Sequence, residues 1–341
     1  MNAQPEPKIF AGDAARKLTH DALVWDCLSL YYILDEFYAQ QSLEGGVNVV
    51  NCTFGTEDEW ETVLRNFELG LQKIEKNPVL KLALCADDIL KAKAEGKLAI
   101  VVGTQGSSFI EKELYRVELL YRLGLRICGL AYTGGTLHAD GCGELRDAGL
   151  SFLGRELIDI VNRLPMWLDI SHCGHRTRAE AVQLARAPVC THSNAYGLNP
   201  NDRNTKDETA KAIVAKGGMV GVCGLAKTVW PENATLKHIV DHVDYYAKLL
   251  GPQNVGFGCD FVAAYKASGQ ILPASKRWRT LRPDVFGTVE EFLTLSYPEG
   301  LSQIRELPNL TQSLLDRKYA EGDIRGIMGG NFFRVFKQWV G

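Results

Sequence analysis

The side chains best suited to chemistry in this sequence stand at the ends of short apolar runs. His172 closes the run 166–170 within PMWLDISHCG, and His192 closes the run 188–191 within PVCTHSN. Arg203 follows in NPNDRN, and Asp260 directly follows NVGFGC. A neutral imidazole nitrogen is the commonest protein ligand for zinc, so His172 and His192, with Asp260 as an oxygen donor, form a candidate metal site. A carboxylate in an apolar setting is costly unless it is paired, hydrogen-bonded or metal-bound, and Asp260 can also take a proton from a water as general base. The Arg203 guanidinium can hold a substrate carboxylate through two parallel hydrogen bonds. Tyr132, closing RICGLAY, can donate to a developing oxyanion. Gln105, after LAIVVG, is a second candidate hydrogen-bond donor for catalysis, and Asn194 a further substrate-binding group. Each also has an ordinary reading: a hydrogen-bonded core histidine, a helix-capping aspartate, a solvated arginine, a rim tyrosine.

These groups need a frame that aims them at one point. Eight apolar runs are present: 22–25 closing on Asp26-Cys27-Leu28, then 46–53, 98–103, 126–132, 166–170, 188–191, 218–223 and 254–259. Helix-like segments separate nearly all of them. The runs are continuous rather than alternating, as parallel strands buried on both faces require. That pattern predicts an α/β fold of the (β/α)8 TIM-barrel type, in which functional side chains project from the C-terminal strand ends. No G-x-G-x-x-G opens the first βα unit, and there is no P-loop. The expected organisation is one domain over 1–341, with an N-terminal helix at 11–22 and closing helices at 311–320 and 322–339. The stretch 262–308, rich in proline, glycine and basic residues, reads as irregular.

A net charge of -3 gives no reason to expect nucleic acid or an anionic membrane as partner. There is no apolar run of transmembrane length and no signal-peptide core near the N-terminus. Nine cysteines without CxxC pairing fit buried, reduced thiols and a cytoplasmic location. His138, Asp140 and Glu144 share a polar loop and read as solvated. His238 and His242, four apart without a HEXXH glutamate, read as a surface helix face.

The segments DISHCG, PVCTHSNAYGL…DRN, VGFGCDF and LPNLTQSLLDRKYAEGDIRGIMGGNFFRVF together resemble the membrane (renal) dipeptidase family of zinc hydrolases, from about residue 13 to the end. The resemblance implies an amidohydrolase-like barrel, a dipeptide or amino-acid-like substrate, and a homodimer. Family members hold two zinc ions, and here His172, His192 and Asp260 match ligands while Arg203 matches the arginine that grips the substrate carboxylate. The chain departs from the pattern elsewhere. Where the family reads DGHND, it reads Asp26-Cys27-Leu28-Ser29-Leu30, so two ligands have become leucines. The bridging glutamate corresponds to Gln105, and the histidine near the scissile carbonyl to Tyr132. The expectation is therefore at most one zinc ion, or none. Three functions stay open: a dipeptidase-like hydrolase, a metal-free acid/base enzyme such as a lyase, epimerase or isomerase, and a non-catalytic binding homologue.

Overall fold

The computed structural model of the protein describes residues 6–269, 271–294 and 297–341. Its strands are β1 (Trp25–Leu30), β2 (Val49–Thr53), β3 (Leu80–Leu82), β4 (Leu98–Gly103), β5 (Leu125–Gly129), β6 (Trp167–Asp169), β7 (Pro188–Val189), β8 (Val220–Cys223) and β9 (Val255–Gly258). All pair in parallel, in the order β1-β2-β4-β5-β6-β7 and β8-β9. A bridge between Cys190 and Val220 joins β7 to β8, and one between Ser29 and Phe261 joins the end of β9 to β1. The ring of eight is thus closed, and with its surrounding helices it is a (β/α)8 barrel, as the eight apolar runs predict.

β3 lies outside the sequence expectation. It is three residues long and pairs only with the first half of β4, while β5 takes the second half. A segment this short, with one of its three residues buried, has no apolar run to betray it.

The floor of the barrel is aromatic. Trp25 stacks on Trp167 at 5.8 Å, and Phe332 and Phe336 from the helix Asn331–Trp339 pack against both. Gly256 leaves the room this needs, since a Cβ there would stand 2.5 Å from the Phe332 ring. The expected helix at 322–339 is broken into Glu321–Arg325, a wide turn at Gly326–Gly330, and Asn331–Trp339. Gly329 explains the break: its backbone presses so closely on β1 that a Cβ would lie 2.4 Å from both Leu23 O and Trp25 N.

The stretch 262–308 is not irregular. It holds the helices Ala263–Ser268, Pro273–Leu281, Pro283–Phe286 and Val289–Thr294. Pro273 and Pro283 stand at helix starts, where a missing N–H costs nothing, rather than acting as breakers. These helices roof the C-terminal end of the barrel. Glu57 accepts from Trp278 Nε1 at 3.0 Å, Arg282 pairs with Asp202 at 2.8 Å, and Asn201 Nδ2 donates to Val285 O at 2.9 Å.

Two further expectations are corrected. His138 is buried, bonded to Ser107 Oγ at 3.0 Å and Glu111 O at 2.8 Å, and Asp140 is buried too, accepting from Ala148 N. His242 is also buried: Nδ1 accepts from Ala195 N and Nε2 meets Val229 O, so its helix face is internal. The nine cysteines are free thiols, and all but Cys85 are buried. No helix among the described residues is long and apolar enough to cross a membrane.

Candidate functional site

Under the roof lies a cavity of about 60 Å³, bounded by strand ends below and by Trp278, Arg279, Phe286 and Phe292 above. Tyr132, His172, Arg203 and Asp260 line it, so four of the residues singled out by sequence meet in one place. His192 stands directly behind His172, their Nε2 atoms 3.0 Å apart.

The hydrogen bonds fix the tautomers of that pair. Asp169 at the end of β6 accepts from the Thr191 hydroxyl at 2.6 Å and from Ser171 Oγ at 2.5 Å. With its proton so committed, Thr191 Oγ1 accepts from His192 Nδ1 at 2.7 Å. His192 Nε2 is then the bare nitrogen, and His172 Nε2 donates to it. His172 Nδ1 is left buried and, among the described residues, without a partner. The His172 ring is sandwiched against Tyr132, with centroids 4.3 Å apart. Burial, then the Arg203 and Arg178 guanidiniums, hold both imidazoles well below their ordinary range, so both are neutral.

Arg203 is 3% exposed. Its Nη1 donates to Ser171 O, while Nη2 is buried with no partner among the described residues. Arg178, from the helix His175–Leu184, fixes its position. Arg178 is fully buried and donates to Ile170 O, Ser171 O, Arg203 O and Asn204 O, stitching the His172 loop to the Arg203 loop. Removing it leaves four buried carbonyls short of a donor. Arg178→Met is expected to destabilise the fold by about 3 kcal/mol in chemical denaturation, because hydrogen bonds to a charged donor are worth more than neutral ones. A change within about 0.5 kcal/mol, the range of an ordinary surface substitution, would contradict this role.

Asp260 sits at φ 57°, a left-handed conformation that aspartate tolerates better than most residues. Both sides of its backbone are pinned: its N–H donates to Leu28 O at 3.2 Å and its carbonyl accepts from Tyr297 Oη. Among the described residues it is the sole carboxylate lining the cavity. Burial pushes it up to about 6, against the opposing pull of Arg203 and Arg279. Burial likewise pushes Asp26, accepting from Cys259 N at 2.7 Å, up to about 7.

Two expected site residues are placed elsewhere. The Asn194 amide is spent on the end of β8, donating to Cys223 O and Thr228 Oγ1 and accepting from Cys223 N. It locks a loop instead of facing substrate. Gln105 is buried and donates to Thr53 Oγ1 at 3.0 Å, outside the cavity lining. Conversely, Arg178 and Arg279 belong to the site with no mark in the sequence. Nothing in HRTRAEAV separates Arg178 from its neighbours, and Arg279 sits in the basic run SKRWRTLR of the stretch expected to be irregular.

The donors do not fit a resident zinc ion. His192 has the oriented Nδ1–H···O bond typical of a metal-bound imidazole, but His172 lacks one. Leu28 and Leu30 offer no lone pairs, and among the described residues no three His, Cys, Asp or Glu side chains are grouped to hold an ion. Of the expected set, His172 and His192 stand side by side and Asp260 lines the same cavity as His172.

The sequence profile of the membrane dipeptidase family (peptidase family M19) matches residues 36–276 and 289–340. An uncharacterised dipeptidase of Schizosaccharomyces pombe is 30% identical over 272 residues, covering 77% of this chain and 58% of its own length. Dipeptidase 3 of Rattus norvegicus is 25% identical over 297 residues, covering 85% of this chain and 54% of its own. The chain thus spans a little over half the length of these curated relatives. Among solved structures, an amidohydrolase from Pseudomonas aeruginosa superposes with a TM-score of 0.83 at 28% identity, over 96% of this chain and 98% of that one.

Proposed function

Because the chain belongs to the membrane dipeptidase family, we propose that it is a hydrolase of a small amide, dipeptide or N-substituted amino acid bearing a free carboxylate. The observation that carries this reading is the buried Arg203 Nη2, without a partner among the described residues, in a cavity that Asp260 also lines. A desolvated guanidinium N–H is costly unless a ligand oxygen completes it.

Arg203 would bind the substrate carboxylate and set the scissile carbonyl near Tyr132 and Asp260. Asp260 takes a proton from water, the resulting hydroxide adds to the carbonyl carbon, and the Tyr132 hydroxyl donates to the oxyanion. Tyr132 Oη makes no hydrogen bond among the described residues, which leaves it available, and burial pushes its ionisation up, which keeps the proton on. Collapse breaks the C–N bond, and protonated Asp260 returns its proton to the leaving nitrogen. No step is drawn through a metal ion, since the donors do not fit one.

Arg203→Met is expected to raise KM for a hydrolysed dipeptide about 10- to 100-fold, the loss of a charged hydrogen-bonded contact. Steady-state kinetics on free-acid dipeptides and their C-terminal amides test this. No turnover of any dipeptide or N-acyl amino acid, or equal turnover of acids and amides, would sink the reading.

The chain Asp169–Thr191–His192–His172 supports a second reading, proton transfer on the same class of substrate without hydrolysis. Deuterium uptake at Cα of an amino acid in heavy water, without product amine, would favour it over the first.

A further inference from the structure

A second buried guanidinium faces the same cavity. Arg279, on the roof helix Pro273–Leu281, is 7% exposed. Its plane lies 4.0 Å over the Phe292 ring, Nε donates to Ser275 Oγ at 3.3 Å, and Nη1 donates to Phe286 O. These contacts fix the side chain yet leave Nη2 with no hydrogen bond among the described residues. The ion pairs of the described residues engage Arg116, Arg155, Arg176, Arg282 and Arg317, and neither Arg203 nor Arg279. Arg178 shows what a purely structural buried arginine looks like here: its Nε and both Nη atoms all end on carbonyls.

Among the described residues neither guanidinium is engaged in an ion pair, and two buried guanidiniums facing a single carboxylate, Asp260, across one cavity are a costly arrangement unless further anions complete it. Arg279 also occupies the neck. It lines the inner cavity and an outer vestibule of about 560 Å³ that extends past Lys227, Trp230 and Glu299. Leu225, Phe286 and Phe292 line both spaces with it. Arg203 lies on the inner side only, against Ser171 and the strand ends.

We propose that the substrate carries two carboxylates, one seated on Arg203 at the cavity floor and the second on Arg279 at the neck. The inference rests on the reading of this cavity as the substrate site and narrows its substrate class. The charges lining the cavity, two guanidiniums and the Asp260 carboxylate, mirror a molecule with two carboxylates and one amine nitrogen. A dipeptide with an acidic residue and a free amino group has that pattern. A carboxylate suits Arg279 better than a phosphate dianion, which would bring a second negative charge toward Asp260.

Calorimetric titration of the intact protein with succinate, glutarate and adipate, each against its own monoamide, tests this without requiring turnover. At least one diacid is expected to bind ten-fold or more tighter than its monoamide. In Arg279→Met that ratio is expected to fall to near one, and in Arg279→Lys, which keeps the charge and loses the fork, to an intermediate value. No diacid preference in the unaltered protein overturns the proposal, as does a preference that survives in Arg279→Met. Monoamides that bind in an Arg203-dependent manner without a diacid preference would leave the broader reading standing while this one falls. Absence of all Arg203-dependent binding would remove both.

Discussion

Asp260→Asn is expected to lower kcat by about 10²- to 10⁴-fold, the usual contribution of a positioned general base. The substitution keeps the size of the side chain. It also keeps the two backbone bonds, to Leu28 O and from Tyr297 Oη, that hold the residue in its left-handed conformation. What it removes is the capacity to take a proton. The pH profile supplies an independent readout. Burial raises Asp260 to about 6, and a base must be ionised to act, so kcat is expected to rise with pH through about 6 and level off above it. His172 and His192 are held well below their ordinary range, so neither adds a limb near neutrality. In Asp260→Asn the residual activity is expected to lose that rising limb. A variant that retains the limb at full amplitude would assign the titration to another group and Asp260 to a structural role.

The barrel was legible because its strands are continuous apolar runs, and a parallel strand buried on both faces has no other way to appear. LAIVVG became β4 without a shift of boundary, and VGFG became β9. The candidate site was legible to the extent that it hangs from those strand ends. Tyr132 closes its run, and His172, His192 and Asp260 follow theirs by one or two residues, so placing the strand places the side chain. Arg203 required the loop that leaves β7, and there the family resemblance supplied what periodicity does not.

The roof was illegible for the converse reason. Its helices are short, two of them begin with proline, and their burial depends on the barrel rim beneath them. Arg279 and Arg282 have no mark in SKRWRTLR because the groups that receive them are set by how the roof folds: Phe292 on a separate short helix beneath one, Asp202 from the barrel rim beside the other. Asn194 and Gln105 stand off the cavity lining for a related reason. An amide at a strand end is as well suited to tying a loop down as to meeting a ligand. Only the positions of Cys223 N, Cys223 O and Thr53 Oγ1 decide which.

The exchange of ligand residues for leucine has a consequence for stability that turns on Asp26. Leu28 is fully buried and Leu30 nearly so, and among the described residues Asp26 is engaged in no ion pair. Its Oδ1 accepts from Cys259 N and Leu28 N, and its carboxyl borders a cavity of about 20 Å³ with Tyr32, Tyr38 and Gln41, room for a single water. Burial, only partly offset by those two N–H donors, raises it to about 7. In the unfolded chain its value is about 3.9. Between these values the folded protein keeps a proton that the unfolded chain has released, so stability falls as pH rises. The favourable contribution is whole below about pH 4 and is lost by about pH 7. Across that interval the loss amounts to about 4 kcal/mol. Asp26→Asn keeps an oxygen for the two N–H donors and removes the charge. It is expected to leave stability near pH 4 almost unchanged and to raise it at pH 8 by an amount approaching that figure. Urea denaturation of both proteins at pH 5, 6.5 and 8 checks the trend, with the difference between them expected to grow at each step. A difference that is constant across the series, or that shrinks toward pH 8, would mean that the Asp26 carboxylate is stabilised in the fold by a partner that becomes effective only when it ionises.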